Sequence, residues 1–421
     1  MRIGLLFDGP TIPPKDGVIY RFYHIARHLT SQFKHVVLLL GDRGWLTDQQ
    51  LAAERLNALL FPAPWLYDRN IWRVTRLIRK NFAIDLLHVC NSHQAVLSYG
   101  RLIASELNIP LVCDMHDVDH LLLATQRASA AAVQEAAKMQ CITGAATEKI
   151  IYISCAEASA LARIGIPKNK LFCIPNGVCS EKKSSPTYHA RDIVFIGNLF
   201  YRPNREAVRL ITDHIAPRVV SKFPDATFTI IGRTPKPLTK NKYRNVRFVG
   251  EIDDLTPILS RSALGIAPLF TGAGLKVKIL TYAAHALPVV GTTIAFSGYN
   301  GICSFLHAET VEDCIARIFW VFEHRREARA IGVQFSKEIR RGYNWGTLVR
   351  RLPILYRGAL RTTATPGFSI AEETRADVKP RFVTTKRVLP PAWLQEKRFK
   401  NQARLPPPRI VRNGQFCNVL V

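Results

Sequence analysis

Short apolar runs alternate with longer amphipathic stretches along most of the chain. In the first half, Ile3–Phe7, Val36–Leu40, Leu86–Cys90, Leu111–Asp114, Ile150–Ser154 and Leu171–Ile174 have the length and composition of buried strands. Between them, segments such as Tyr20–Leu29 and Gln94–Leu107 carry apolar residues at helical spacing. Strands that are apolar on successive residues bury both faces, and their alternation with helices predicts parallel sheets covered on each side. The pattern resumes in the second half at Ile193–Gly197, Phe228–Gly232, Val246–Val249, Leu264–Pro268, Pro288–Gly291 and Ile302–Leu306. The expected fold is α/β, with two doubly wound domains of similar size in tandem.

Between the two series the chain turns polar. The stretch from Pro175 to His189, PNGVCSEKKSSPTYH, supplies turn formers and a charge cluster, so the domain boundary falls there. The predicted organisation is a first domain over residues 1–178, a second over 190–345, a helix at 346–360 that packs back toward the first domain, and a tail at 361–421. That tail carries twelve Lys or Arg against four Asp or Glu and has no sustained apolar period. It is expected to be disordered, because so little apolar surface cannot offset the entropy of ordering.

Two domains also fit a length of 421 residues, beyond the size at which one core stops growing. Charge adds a constraint on partners. With 58 Lys and Arg against 32 Asp and Glu the formal charge is +26, which favours anionic ligands: nucleotide phosphates, an acidic membrane face or nucleic acid. No helix-turn-helix, zinc or RNA-recognition motif accompanies that charge, so no specific nucleic-acid partner is expected. Nine cysteines occur without a CxxC pair or zinc-ligand spacing, which suggests a reducing, cytoplasmic setting without structural disulfides. No apolar run approaches the roughly 20 residues needed to span a bilayer, so any membrane contact would be peripheral, at an anionic inner face.

The most informative stretch is Gly272 to Thr292, GAGLKVKILTYAAHALPVVGT. Glycines let backbone amides approach an anion, and the first turn of the following helix adds unpaired N–H groups and partial positive charge. Gly274, Lys276 and Lys278 lie where a phosphate or diphosphate would sit, and the lysines would form charge-assisted hydrogen bonds.

Five segments in order carry a resemblance to the GT-B glycosyltransferases of family 4. They are IPNGV (174–178), DIVFIGNLFYRPNREAVRLI (192–211), TFTIIGR (227–233), VRFVGEIDDLTPILSRSALGIAPL (246–269) and the glycine-lysine segment itself. The resemblance implies two Rossmann-like domains facing a cleft, with a nucleotide diphosphate-sugar donor on the second domain and a glycan or lipid-linked acceptor on the first. It implies a retaining sugar transfer in surface polysaccharide or glycolipid assembly, with neither metal nor other cofactor. By resemblance, Lys278 and His116 are the catalytic residues, His116 contacting the donor sugar. Gly17, Asn198, Arg202, Arg233, Gly274, Lys276 and Thr281 are expected around the donor. Two departures stand out. Most members carry a ribose-binding glutamate where this chain has Thr281, and an Arg and a Lys where it has Asn198 and about Pro203. An alternative is therefore a catalytically weakened sugar-nucleotide binder or scaffold. The DxD at Asp117 to Asp119 follows a first-domain strand, where capping or acceptor binding is a more natural role than metal ligation.

Overall fold

The computed structural model describes residues 1–7, 17–33, 35–42, 57–62, 70–90, 94–179, 191–235, 244–272, 274–363, 409–412 and 415–417. Seven parallel strands form the first sheet: β1 (Ile3–Phe7), β2 (Val36–Asp42), β3 (Asn57–Pro62), β4 (Leu86–Val89), β5 (Leu111–Asp114), β6 (Lys149–Tyr152) and β7 (Leu171–Cys173). Their spatial order is β3-β2-β1-β4-β5-β6-β7, with β1 flanked by β2 (Ile3 opposite Val36) and β4 (Ile3 opposite Leu86). The second sheet contains β8 (Asp192–Ile196), β9 (Thr227–Ile231), β10 (Val246–Gly250), β11 (Leu264–Ala267), β12 (Val289–Gly291) and β13 (Leu306–His307), in the order β10-β9-β8-β11-β12-β13. Strand order reverses between β1 and β4 in one sheet and between β8 and β11 in the other. Ligands of open α/β sheets bind beyond the carboxyl ends of the strands at such points.

The alternating inward and outward positions of β1 explain the layering. Ile3, Leu5 and Phe7 pack with the helix Gly17–Gln32, whereas Leu6 faces the opposite layer beside Val74 and Ile103. A separate core fills the second domain around Phe195, Phe228, Ile266 and Tyr282. The chain then crosses back. Val178 N–H donates to Tyr343 O at 2.7 Å and Trp345 N–H donates to Val178 O at 3.1 Å, which ties the outgoing and returning strands of the crossover together. Trp345, fully buried, stacks on His24, and the helices Trp345–Val349 and Leu352–Thr363 complete the first domain's core. A side chain at Gly177 would lie 2.9 Å from the Trp345 ring, so only glycine lets the crossover approach it.

Three elements differ from the sequence-based expectation. β3 was not foreseen, because its apolar run is short and ends in proline. Where Ile302–Leu306 is expected to form a strand, only Leu306–His307 pairs. At the end of the chain β14 (Arg409–Arg412) and β15 (Gln415–Cys417) form a hairpin that adds antiparallel to β3. This pairing covers the edge of β3, where a tail disordered throughout was expected. Residues 364–408 of that tail lie outside the described residues, as does the linker 180–190. Among the described residues no helix is long and apolar enough to cross a membrane.

Candidate functional site

The helices that follow β1 and β11 meet between the two domains. Gly17 opens the helix Gly17–Gln32, and a Cβ placed on it would lie 3.4 Å from Val277 Cγ2, at the first residue of the helix Val277–Ala284. Two helix N-termini, one from each domain, therefore converge. Lys276 holds the N-cap position of the second helix, and lysine has no side-chain acceptor with which to cap N–H groups. Those amides and the helix dipole suit an anion.

Lys276 is the lysine that faces the domain interface. Its ammonium donates to Gly274 O at 2.6 Å, and Tyr299 Oη donates to its backbone oxygen at 3.0 Å. Burial pulls its pKa down to about 8, against the opposing pull of Asp117 and Glu157 across the interface. Gly274 sits at φ +70°, the left-handed conformation that favours glycine.

Lys278 points elsewhere. Its ammonium donates to Asn204 Oδ1 at 2.7 Å and lies 4.0 Å from the centre of the Phe195 ring, inside the second domain. Burial, with Lys276 nearby, holds its pKa well below the ordinary lysine value. Helical spacing explains the split: two residues apart on a helix, the two side chains leave in different directions. Thr281 lies half-buried on the same helix, and its hydroxyl donates to Val277 O at 3.2 Å.

The turn after β8 is built by its own side chains. Asn198 Oδ1 accepts from Phe200 N–H at 3.0 Å, Asn198 O accepts from Asn204 Nδ2 at 2.9 Å, and Gly197 leaves no room for a Cβ beside Asn204. Arg233, after β9, places its guanidinium 5.5 Å from the Phe200 ring centre while its carbonyl accepts from Leu199 N–H. Arg202 is exposed, pairs with Glu206 at 2.7 Å and reaches Gln126 O of the first domain at 3.5 Å. The structure thus gathers Gly17, Gly274 and Lys276 at the interface, and Asn198, Arg202 and Arg233 around the β8 and β9 ends.

On the first domain His116 follows β5 and is buried. Asp117, next to it, is half-buried and has its pKa pushed up to about 7 by burial and Asp119. Glu157, 2% exposed, is pushed up to about 8 by burial and Asp117. Sequence reasoning missed Glu157 as a site residue. Its spacing from Ser154 marks a capping box, which the structure contains, and nothing in that motif announces a second role. Also missed was Arg21, whose guanidinium is fully buried against Asp114 beneath His116.

Among the described residues one set of potential metal ligands lies close together: His88, Cys90 and Asp114, within 4.8 Å of one another. Arg21 Nε already bridges both Asp114 oxygens at 3.0 and 2.9 Å, His88 Nδ1 meets Tyr356 Oη at 2.8 Å, and burial raises the Cys90 pKa well above its usual value. A guanidinium on the only carboxylate and a protonated thiol make this a structural network rather than a cation site.

Comparison with known proteins agrees with this geometry. Residues 190–323 match the family model described as glycosyl transferases group 1, and residues 15–182 match that of glycosyltransferase family 4. Among solved structures, Alr3699/HepE of Anabaena in complex with UDP and glucose superposes with a TM-score of 0.65 at 14% identity, covering 84% of this chain and 98% of that one. Sucrose-phosphate synthase of Thermosynechococcus elongatus gives 0.65 at 16% identity, covering 86% and 99%, and the lipopolysaccharide outer core galactosyltransferase WaaB gives 0.56 at 12%, covering 84% and 99%. A Klebsiella pneumoniae protein described as an uncharacterized 44.6 kDa protein in a cps region is 24% identical over 120 residues; the match spans 26% of this chain and 31% of that relative. The matched domains, the paired sheets and the cleft between them place this chain in the GT-B family 4 glycosyltransferases.

Proposed function

We propose that the protein transfers a sugar from a nucleoside diphosphate-sugar to a hydroxyl of a glycan or lipid-linked acceptor, with retention at the anomeric carbon, in the assembly of surface polysaccharide or glycolipid. The observation that carries this reading is the convergence of Gly17 with Val277 at the N-termini of two helices from opposite domains. Breaking the bond between sugar and phosphate builds negative charge on the diphosphate, and N–H groups already aimed at that position stabilise the charge as it develops. Lys276 adds a cation whose proton is held more firmly once an anion arrives, because the anion offsets the burial that lowers its pKa. In this reading the helix ends and lysine supply the positive charge, and no metal is required. The Anabaena neighbour binds UDP and glucose, and WaaB is a galactosyltransferase, which supports a nucleotide-sugar donor.

Peripheral binding to an anionic membrane is part of the proposal. The helix Ile71–Asn81 buries Ile71, Val74, Leu77 and Ile78 and turns Trp72, Arg73, Arg76, Arg79 and Lys80 to the surface, with no acidic residue along it. Trp72 is 46% exposed. A tryptophan among cations suits a lipid headgroup layer, where each Lys or Arg contributes about 1 kcal/mol. Sedimentation with anionic but not zwitterionic vesicles, lost in Arg73→Glu/Arg76→Glu, is the expected result.

A second reading, a sugar-nucleotide binder without transferase activity, is favoured by Thr281, whose only hydroxyl proton is committed to Val277 O. Thermal shift against UDP-, GDP-, ADP- and dTDP-sugars, followed by donor consumption with and without acceptors, separates the two. A ligand at 100 times its dissociation constant stabilises the fold by about 2.7 kcal/mol. Stabilisation by one donor class with turnover supports the transferase; stabilisation without any turnover supports the binder; no stabilisation by any of the four overturns both.

A further inference from the structure

Asp117 and Glu157 belong to the first domain, yet both reach the donor loop of the second. A Cβ placed on Gly274 would lie 3.0 Å from Asp117 Oδ1 and 3.8 Å from Glu157 Oε1. One oxygen of Glu157 is used locally: Oε2 accepts from Ile153 N–H at 3.2 Å and from Ser154 N–H at 3.0 Å. The other, Oε1, is buried and has no hydrogen-bond partner among the described residues. The Asp117 carboxylate likewise accepts no hydrogen bond among the described residues, although Gln140 Nε2 holds its backbone oxygen at 3.5 Å. Buried acceptors are almost always satisfied in native proteins, and an unsatisfied one costs about 1–3 kcal/mol. One such oxygen, Glu157 Oε1, and the half-buried Asp117 carboxyl group approach the same glycine, so hydrogen-bond donors are wanted there.

Charge along the donor loop runs in one direction. At Gly274 the loop faces two carboxyl groups; at Val277 it presents helix amides, with Lys276 between. Three residues span at most roughly 10 Å. A sugar nucleotide has the matching polarity over that distance, with a neutral, hydroxyl-rich ring at one end and an anionic diphosphate beside it. Sugar hydroxyls are donors that the oxygens of both carboxyl groups can accept, whether those groups are ionised or protonated. Glycine lets these loops approach the first domain closely: Gly274 sits at φ +70° and Gly298 at φ +86°, where a Cβ would come within 2.9 Å of Ser154 Oγ.

We propose that Asp117 and Glu157 bind hydroxyl groups of the transferred sugar, so that the first domain sets which sugar the donor carries. This rests on the reading of the cleft as a donor site and adds a specificity role that neither the glycine-lysine loop nor His116 supplies. Asp117, half-buried, makes the direct contact. Glu157 lies behind it, where its free oxygen takes a second hydroxyl.

Calorimetry on the full chain with UDP, GDP, ADP and dTDP, each alone and as its glucose ester, tests this. For whichever pair the wild type binds, Asp117→Asn is expected to weaken the sugar nucleotide at least tenfold while the bare diphosphate changes less than twofold. Glu157→Gln, which keeps an oxygen for the Ser154 cap, is expected to behave the same way, and thermal melts confirm that both variants are folded. A deoxy-sugar donor should bind wild type and Asp117→Asn equally if the missing hydroxyl is the one Asp117 holds. Equal losses for diphosphate and sugar nucleotide, or no loss for either, overturn the proposal. Unchanged donor affinity with a raised KM for the acceptor also overturns it and assigns the pair to the acceptor. A wild type that binds none of the four diphosphates defeats the donor-site reading itself, and this proposal with it.

Discussion

Arg21 and Asp114 form an ion pair with no solvent exposure on either side chain, the guanidinium Nε lying 2.9 and 3.0 Å from the two carboxylate oxygens. The pair joins the helix that starts at Gly17 to the end of β5, just before His116, and Arg21 Nη1 extends it to Asn176 of the crossover at 3.1 Å. One buried network thus fixes the helix that begins at Gly17, the strand that carries the histidine and the segment between the domains. Burial lowers the His88 pKa to about 4, so that neighbour stays neutral and does not compete for Asp114.

Removing one partner of a buried pair strands the other charge. Asp114→Ala is therefore expected to destabilise the fold by about 3–5 kcal/mol, read from urea unfolding. A loss below about 1 kcal/mol would mean that the pair holds nothing together.

The two lysines of the donor loop should separate by kind of effect. Lys276→Ala is expected to reduce transfer by about 1–3 kcal/mol of transition-state stabilisation with little change in melting temperature. Lys278→Met replaces a buried ammonium by an uncharged side chain of similar volume and should alter stability, through loss of the Asn204 hydrogen bond, more than it alters chemistry. Steady-state kinetics beside thermal melts distinguish them; equal kinetic damage in both variants would return Lys278 to the reaction.

Stability should depend on pH through Asp117 and Glu157. Burial raises both pKa values, to about 7 and about 8, above the unfolded range near 4. Between those limits the folded state binds more protons than the unfolded state, so their contribution is complete below about pH 4 and is lost as pH rises through 7 to 8. Lys276, lowered to about 8, acts in the other direction above that pH, because the unfolded chain there holds the extra proton. Melting temperatures from pH 5 to 9 should fall for wild type and fall less steeply for Glu157→Gln. Parallel curves would show that Glu157 ionises freely in the folded protein.

Thr281→Glu introduces on the helix Val277–Ala284 the carboxylate that the family resemblance leads one to expect there. It should tighten nucleoside diphosphate binding, since a carboxylate takes two ribose hydroxyls where the threonine hydroxyl is committed to Val277 O. An unchanged dissociation constant would mean that the ribose is held by other groups.

The strands were readable because their apolar runs are continuous: β1, β4, β5 and β11 are buried along their whole length, and β8 all but its last residue. β3 was not, because a run ending in proline resembles a loop, and the hairpin β14–β15 was not, because strands of four and three residues carry little periodic signal in a basic tail. At the site, the glycine-lysine loop is visible locally since its chemistry depends on neighbours in sequence. Lys276 and Lys278 could not be ranked that way, because which one faces the cleft depends on Asn204 and Phe195, some seventy residues earlier. Glu157 shows the same limit. Its capping spacing from Ser154 is local, whereas its approach to Gly274 exists only once the two domains face each other.

A diphosphate is expected to bind beside the paired helix ends at Gly17 and Val277, which pack at van der Waals distance. A crystal structure of the protein with the nucleoside diphosphate selected by thermal shift tests it most directly. The account predicts phosphate oxygens on the first amides of the helix Val277–Ala284, with Gly17 opposite and the Lys276 ammonium within hydrogen-bond distance. A diphosphate bound elsewhere, away from those amides, would contradict it.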